Sequence, residues 1–228
     1  MSSTRFDNPE VSSEPFSVNL ALGHGGRTSL TVEENIDNSD GTEIYGFARG
    51  NITAAKGLEI SIRSDDDSAT RVGVKYQFHG DYSNQSTIGN LSQAIAIGFE
   101  RNTTTGQNYF YSNCDNNFCE PIYQVGTWEH DTDIYDIAWI VGYKFAQRDI
   151  VYGGPFYQWG GLQGYKTIAD AYQEQLNSDG YMFGANIAIE HRFSFGMGLA
   201  GEIVQSQLRW NGFSKSDTSF NFKIDYQF

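Results

Sequence analysis

Few groupings of residues in this 228-residue chain could do chemistry by themselves. Cys114 and Cys119 lie close together in a polar stretch. In an oxidising compartment such a pair can close a small disulfide loop, worth about 2 kcal/mol. A metal site is the rival reading, but it needs two further ligands and only His130 is near. The four histidines are His24, His79, His130 and His191. His130, with Asp131 and Asp133, is the best local candidate for proton transfer. A solvated polar loop accounts for those residues equally well. Neither a Gly-x-Ser-x-Gly elbow nor a His-Glu-x-x-His pair is present. Asp65-Asp66-Asp67 lacks the alternating ligand spacing of an EF-hand loop and reads as a solvated turn. The expectation is therefore a non-enzyme with no catalytic residue, no metal and no cofactor.

The elements that must position these residues follow from pattern and composition. The chain is acidic, with a net charge of −13, which argues against nucleic acid as a partner. Mean hydropathy is −0.47. The longest apolar runs, such as Ile137-Ala138-Trp139-Ile140-Val141, fall far short of the roughly 20 residues of a membrane helix. A membrane barrel is compatible with such averages, because its strands are only half apolar. Aromatic residues make up 15% of the chain, and 25 glycines stand against 4 prolines. A soluble β-sandwich could share that composition. The final strand discriminates. From Ser219 to Phe228 every even position is large and apolar or aromatic (Phe220, Phe222, Ile224, Tyr226, Phe228), and every odd position is polar or charged. Such alternation gives one apolar and one polar face, and a lipid-facing barrel strand needs that division.

The same logic recurs upstream and predicts an all-β, antiparallel, up-and-down transmembrane barrel of about ten strands, with eight or twelve as alternatives. Residues 1–15 show no periodicity and read as a flexible N-terminal arm. The barrel is expected over 16–228. Its strands begin near Phe16, Glu43, Leu58, Arg71, Ala94, Tyr135, Ile150, Tyr181, Met197 and Ser219. Residues 102–132 and 160–179 read as long loops on one side, the second with a weak helical look near its centre. Short turns near Ala146–Asp149 and Ser194–Gly196 fall on the other side. The polar link Gly80–Gly89 belongs with the short turns and is longer than expected there.

The faces opposite the apolar ones carry Glu59, Arg63, Arg71, Lys75, Asp136, Lys144, Glu190, Arg192, Glu202, Lys223 and Asp225. Five acids and six bases inside a narrow barrel are tolerable only when paired. They predict a lumen filled by a salt-bridge network, with a narrow polar channel as the functional alternative. Ten strands are too few for an open general porin.

On these residues the chain resembles the small outer-membrane β-barrel proteins of Gram-negative bacteria, over about Phe16 to Phe228. The terminal Ile224-Asp225-Tyr226-Gln227-Phe228 is similar to the aromatic signal by which that family is recognised for assembly. The resemblance implies residence in the bacterial outer membrane, and contact with outer-membrane lipid, lipopolysaccharide and the barrel assembly machinery. It also implies that Phe222, Ile224, Tyr226 and Phe228 act as the assembly signal. It leaves open a structural or porin-like narrow-pore role, an interaction subunit that binds a partner protein through its loops or arm, and a rim-sited enzyme. The polar start at Met1 shows no secretory signal, so a leader is expected to have been removed or to lie upstream.

Overall fold

A computed structural model describes residues 5, 7–28, 42–66, 69–110, 114–115, 118–119, 124–168 and 172–228. Twelve strands occur among the described residues: β1 (Val18–Thr28), β2 (Thr42–Ala55), β3 (Leu58–Asp65), β4 (Thr70–His79), β5 (Leu91–Phe110), β6 (Cys114–Asp115), β7 (Phe118–Cys119), β8 (Gln124–Ala146), β9 (Asp149–Ile168), β10 (Tyr172–Arg192), β11 (Met197–Trp210) and β12 (Phe213–Gln227). Ten close a barrel in which each strand is antiparallel to its chain neighbours. β6 and β7 form a separate pair between β5 and β8. No helix occurs among the described residues. The last strand meets the first over Asn19–His24 and Phe222–Gln227, so the sheet edge that β12 would otherwise expose is covered at the seam.

The side-chain period of two sorts the residues as the sequence predicts. On β4 the burial pattern alternates strictly, with Arg71, Gly73, Lys75 and Gln77 inside and Val72, Val74, Tyr76 and Phe78 outside. Ile97, Ile137, Trp139, Ile187, Ile189, Ile203 and Ile224 continue an exposed apolar band around the barrel. An exposed surface of that extent demands a partner other than water. Aromatic rings border the band. At one edge, Phe99, Tyr135, Trp159 and Tyr157 touch in sequence, with centroids 5.1 to 5.8 Å apart. At the other lie Tyr143, Phe145, Phe193, Phe195, Tyr226 and Phe228. Along β8 the band runs from Tyr135 to Phe145. At about 3.3 Å per residue and a tilt of about 40° this is about 25 Å, the height of an outer-membrane apolar belt.

The C-terminus, the start of β1 and the connections β2–β3, β4–β5, β8–β9 and β10–β11 lie at one end of the barrel, here the turn end, while the short β3–β4 and β11–β12 connections lie at the other. The opposite end is the crown. The two stretches expected as loops are corrected by the structure. β5 pairs with β8 out to Phe110 and Gln124, and β9 pairs with β10 out to Ile168 and Tyr172. The weakly helical stretch is thus strand wherever it is described. These four strands rise beyond the aromatic border as a wall on one side of the crown. The outward face turns polar there, with Arg101, Thr103, Asp131 and Asp133 replacing the apolar residues.

Candidate functional site

The barrel interior has two unlike walls. The inward positions of β2, β3 and β4 are mostly polar (Arg49, Asn51 and Thr53; Glu59, Ser61, Arg63 and Asp65; Arg71, Lys75 and Gln77), with Tyr45 and Phe47 of β2 buried toward the crown. The inward positions of β8 to β11 hold an apolar cluster that includes Ile134, Tyr152, Phe156, Met182, Val204, Leu208 and Trp210. β9 carries aromatic residues on both faces. Tyr152 and Phe156 point in, while Tyr157 and Trp159 point out.

The N-terminal arm lies between these walls. Arg5, Asp7, Pro9, Glu10, Val11 and Ser12 are buried. The arm turns back at Phe16, whose φ of 66° is unusual for a non-glycine residue and marks the sharp reversal into β1. Arg5 donates from Nη1 to Asp136 at 2.9 Å, and its guanidinium lies 4.3 Å above the Phe156 ring. Arg71 donates to the same Asp136 from Nε at 2.9 Å and Nη2 at 2.8 Å. The Arg5 amide donates to Glu202 at 3.0 Å. Asp7 pairs with Arg49 at 2.8 Å. Lys75 donates to the Asn8 carbonyl at 2.7 Å and pairs with Glu59 at 2.9 Å. Gly142 makes room for the arm, since a Cβ there would come within 2.5 Å of Pro9 Cγ.

The long polar connection at the turn end grips the arm where it enters. Asn90 and Ser86 donate to the two Glu10 carboxylate oxygens at 2.7 and 2.9 Å. The Ser83 amide donates to the Val11 carbonyl at 3.0 Å, and Ser13 donates to Asn84 at 3.0 Å. The unexpected length of the Gly80–Gly89 link thus has a structural use. Beside the arm a polar cavity of about 370 Å³ opens at the turn end, lined in part by Asn8, Glu59, Lys75, Arg148, Arg192 and Lys223.

The eleven charged positions anticipated for the lumen all occupy inward strand positions, and they form separate groups. Arg71 and Asp136 join the arm as above. Glu59 and Lys75 pair with each other, and Arg63 pairs with Asp65 at 2.9 Å toward the crown. Near the turn end Arg192 pairs with Glu190 at 2.7 Å and Asp225 at 2.9 Å, and Lys223 with the same two acids at 3.1 and 2.8 Å. Lys144 donates to Ser86 at 2.6 Å, with Glu10 at 3.9 Å. Glu202 accepts from Asn186 at 2.6 Å and Asn221 at 2.9 Å. Sequence reasoning missed Arg5, Asp7, Glu10, Arg49, Asp65 and Glu100. Arg49 sits in a strand with weak alternation, and the three arm residues sit in no strand at all.

The crown carries the remaining candidates. His130 alternates with Asp131 and Asp133 along β8, so the strand turns it to the other face. Arg101 takes up both aspartates, at 3.8 and 3.4 Å, and Thr103 donates to Asp131 at 2.6 Å. Burial lowers the pKa of His130, against the pull of Asp131. Cys114 and Cys119 are directly opposite in the β6–β7 register, and their side chains lie outside the described residues. No disulfide is seen among the described residues. The side chains of Tyr109, Phe110, Tyr111 and Phe118 also lie outside them. The terminal residues Phe222, Ile224, Tyr226 and Phe228 all point outward and are exposed. No protein-family model and no curated protein matches the chain.

Proposed function

We propose that the chain is an integral outer-membrane β-barrel of the Gram-negative type, with a structural role and a lumen that is closed at rest. The observation that carries this reading is the arm seated between the two walls, with Asp7 paired to Arg49 of β2 on one side and Arg5 lying over Phe156 of β9 on the other. The apolar band of membrane height and the paired interior charges support a membrane setting. The turn end, which holds the C-terminus, is then periplasmic, and the crown with its tall wall of β5, β8, β9 and β10 faces outside, among lipopolysaccharide. In this reading the assembly machinery recognises the outward aromatic face of β12. The role is non-enzymatic, with no bound cofactor.

The test is planar-bilayer recording of the full chain after liposome flotation shows insertion. The reading expects a silent membrane. Steady, wide-pore conductance would contradict it.

A second reading has its own support. The wall of β5, β8, β9 and β10 rises beyond the aromatic border on one side only, a shape suited to a membrane-anchored interaction subunit. Affinity purification from native membranes tests it. Recovery of the isolated barrel alone would count against a protein partner.

A further inference from the structure

We propose that residues 5–12 are a withdrawable plug, and that their withdrawal toward the turn end opens a narrow aqueous passage for small inorganic ions along the polar wall. The proposal rests on the membrane-barrel reading above.

The decisive feature is what the arm would leave behind. Removing one partner of a buried ion pair is normally costly, because the other charge is stranded. Here each charged barrel group that grips the arm has a second partner on the barrel itself. Asp136 keeps the two-point contact with Arg71, and Glu202 keeps Asn186 and Asn221. Lys75 keeps Glu59, and Arg49 keeps Asn51 at 2.7 Å. At the mouth Lys144 keeps Ser86 and Asn90 keeps Asp81. Gln77 keeps three backbone carbonyls through Nε2, while its Oε1 and the amides of Ser83 and Gly57, which hold Val11 and Ser12, would pass to water as the arm leaves. The charges of the wall therefore have a barrel partner with the arm in or out, and a two-position element needs that property.

The path has two further parts. The cavity beside the arm is already open at the turn end, so water reaches the foot of the polar wall. From there Glu59, Ser61, Arg63 and Asp65 follow one another up β3 to the crown. Arg49, Arg63, Arg71 and Lys75 face Glu59, Asp65, Glu100 and Asp136, four cations against four carboxylates, so the passage would discriminate weakly between K⁺ and Cl⁻. Ten strands keep it too narrow for large solutes. The exposed root of the arm, Glu14 to Phe16, offers a handle on the periplasmic side.

The test uses the full chain in planar bilayers with KCl. Wild type is expected to be silent. Arg5→Ala with Asp7→Ala loosens the plug and is expected to give small single-channel steps, with residues 1–6 newly removed by chymotrypsin. Adding Ser13→Cys and Asn84→Cys, whose polar atoms lie 3.0 Å apart in the native pair, is expected to abolish the steps under oxidation and restore them on reduction. A double variant that keeps the mobility shift of a folded barrel, loses its N-terminus to protease and still stays silent overturns the proposal. If the double variant does not fold, Asp7→Asn alone carries the same two outcomes. Wild-type protein that fails to float with liposomes overturns the membrane reading instead, and the plug's passage with it.

Discussion

Arg5 and Arg71 share one carboxylate. They reach Asp136 from the arm and from β4, and both bond to its Oδ1, at 2.9 and 2.8 Å. The two bonds are unequal in consequence. Arg71 also holds Oδ2, so Asp136 is neutralised without the arm. Arg5→Ala should therefore lower barrel stability only slightly. Asp136→Ala strands two buried guanidiniums and should cost about 3–5 kcal/mol. Urea unfolding in lipid vesicles measures both. Equal losses would mean that the arm, not Arg71, balances the carboxylate.

Gly142 tests the seat of the arm by shape alone. A Cβ there would fall 2.5 Å from Pro9 Cγ and 3.1 Å from Ile150 Cδ1. Gly142→Val should push the arm out and expose residues 1–12 to protease, while the heat-sensitive mobility of the folded barrel persists. An arm that stays protected in this variant would place Pro9 elsewhere.

The apolar band makes a depth-dependent prediction. Ile137 lies on its face and is 43% exposed. Ile137→Arg should destabilise the lipid-inserted protein by about 2–4 kcal/mol. Thr103→Arg, on the same outward face but beyond the aromatic border, should stay within about 0.5 kcal/mol. Unfolding in vesicles reads both, and equal costs would misplace the border.

Cys114 and Cys119 face each other across a two-residue strand pair. Protein made in an oxidising compartment should gain two mass units on reduction and show one crosslinked peptide joining these residues. Free thiols in native protein would leave the register without a covalent role.

Pattern made the apolar-banded part of the barrel legible, and its absence hid the rest. β4 and β12 announce themselves because one face meets the apolar band and the other the lumen. Beyond the aromatic border that contrast disappears. In Thr103-Thr104-Thr105 or Tyr172-Gln173-Glu174 both strand faces are polar, so real strands read as loops. The arm escapes for another reason. It docks through ion pairs and backbone carbonyls, which need no period in sequence. One trace of it was visible: a polar connection at Gly80–Gly89 too long for its side of the barrel, which the structure shows closing on Glu10, Val11 and Ser13. The inward charges were legible one at a time. Their grouping was not, because it depends on which strands the shear of the barrel brings level.

The central claim is that Arg5 and residues 7–12 lie inside the barrel. Trypsin digestion of the folded full chain in lipid vesicles, read by intact mass, tests it at the Arg5–Phe6 bond. A buried Arg5 predicts that residues 1–5 stay attached until the barrel is unfolded by boiling. Prompt loss of those residues from a still-folded barrel would contradict it.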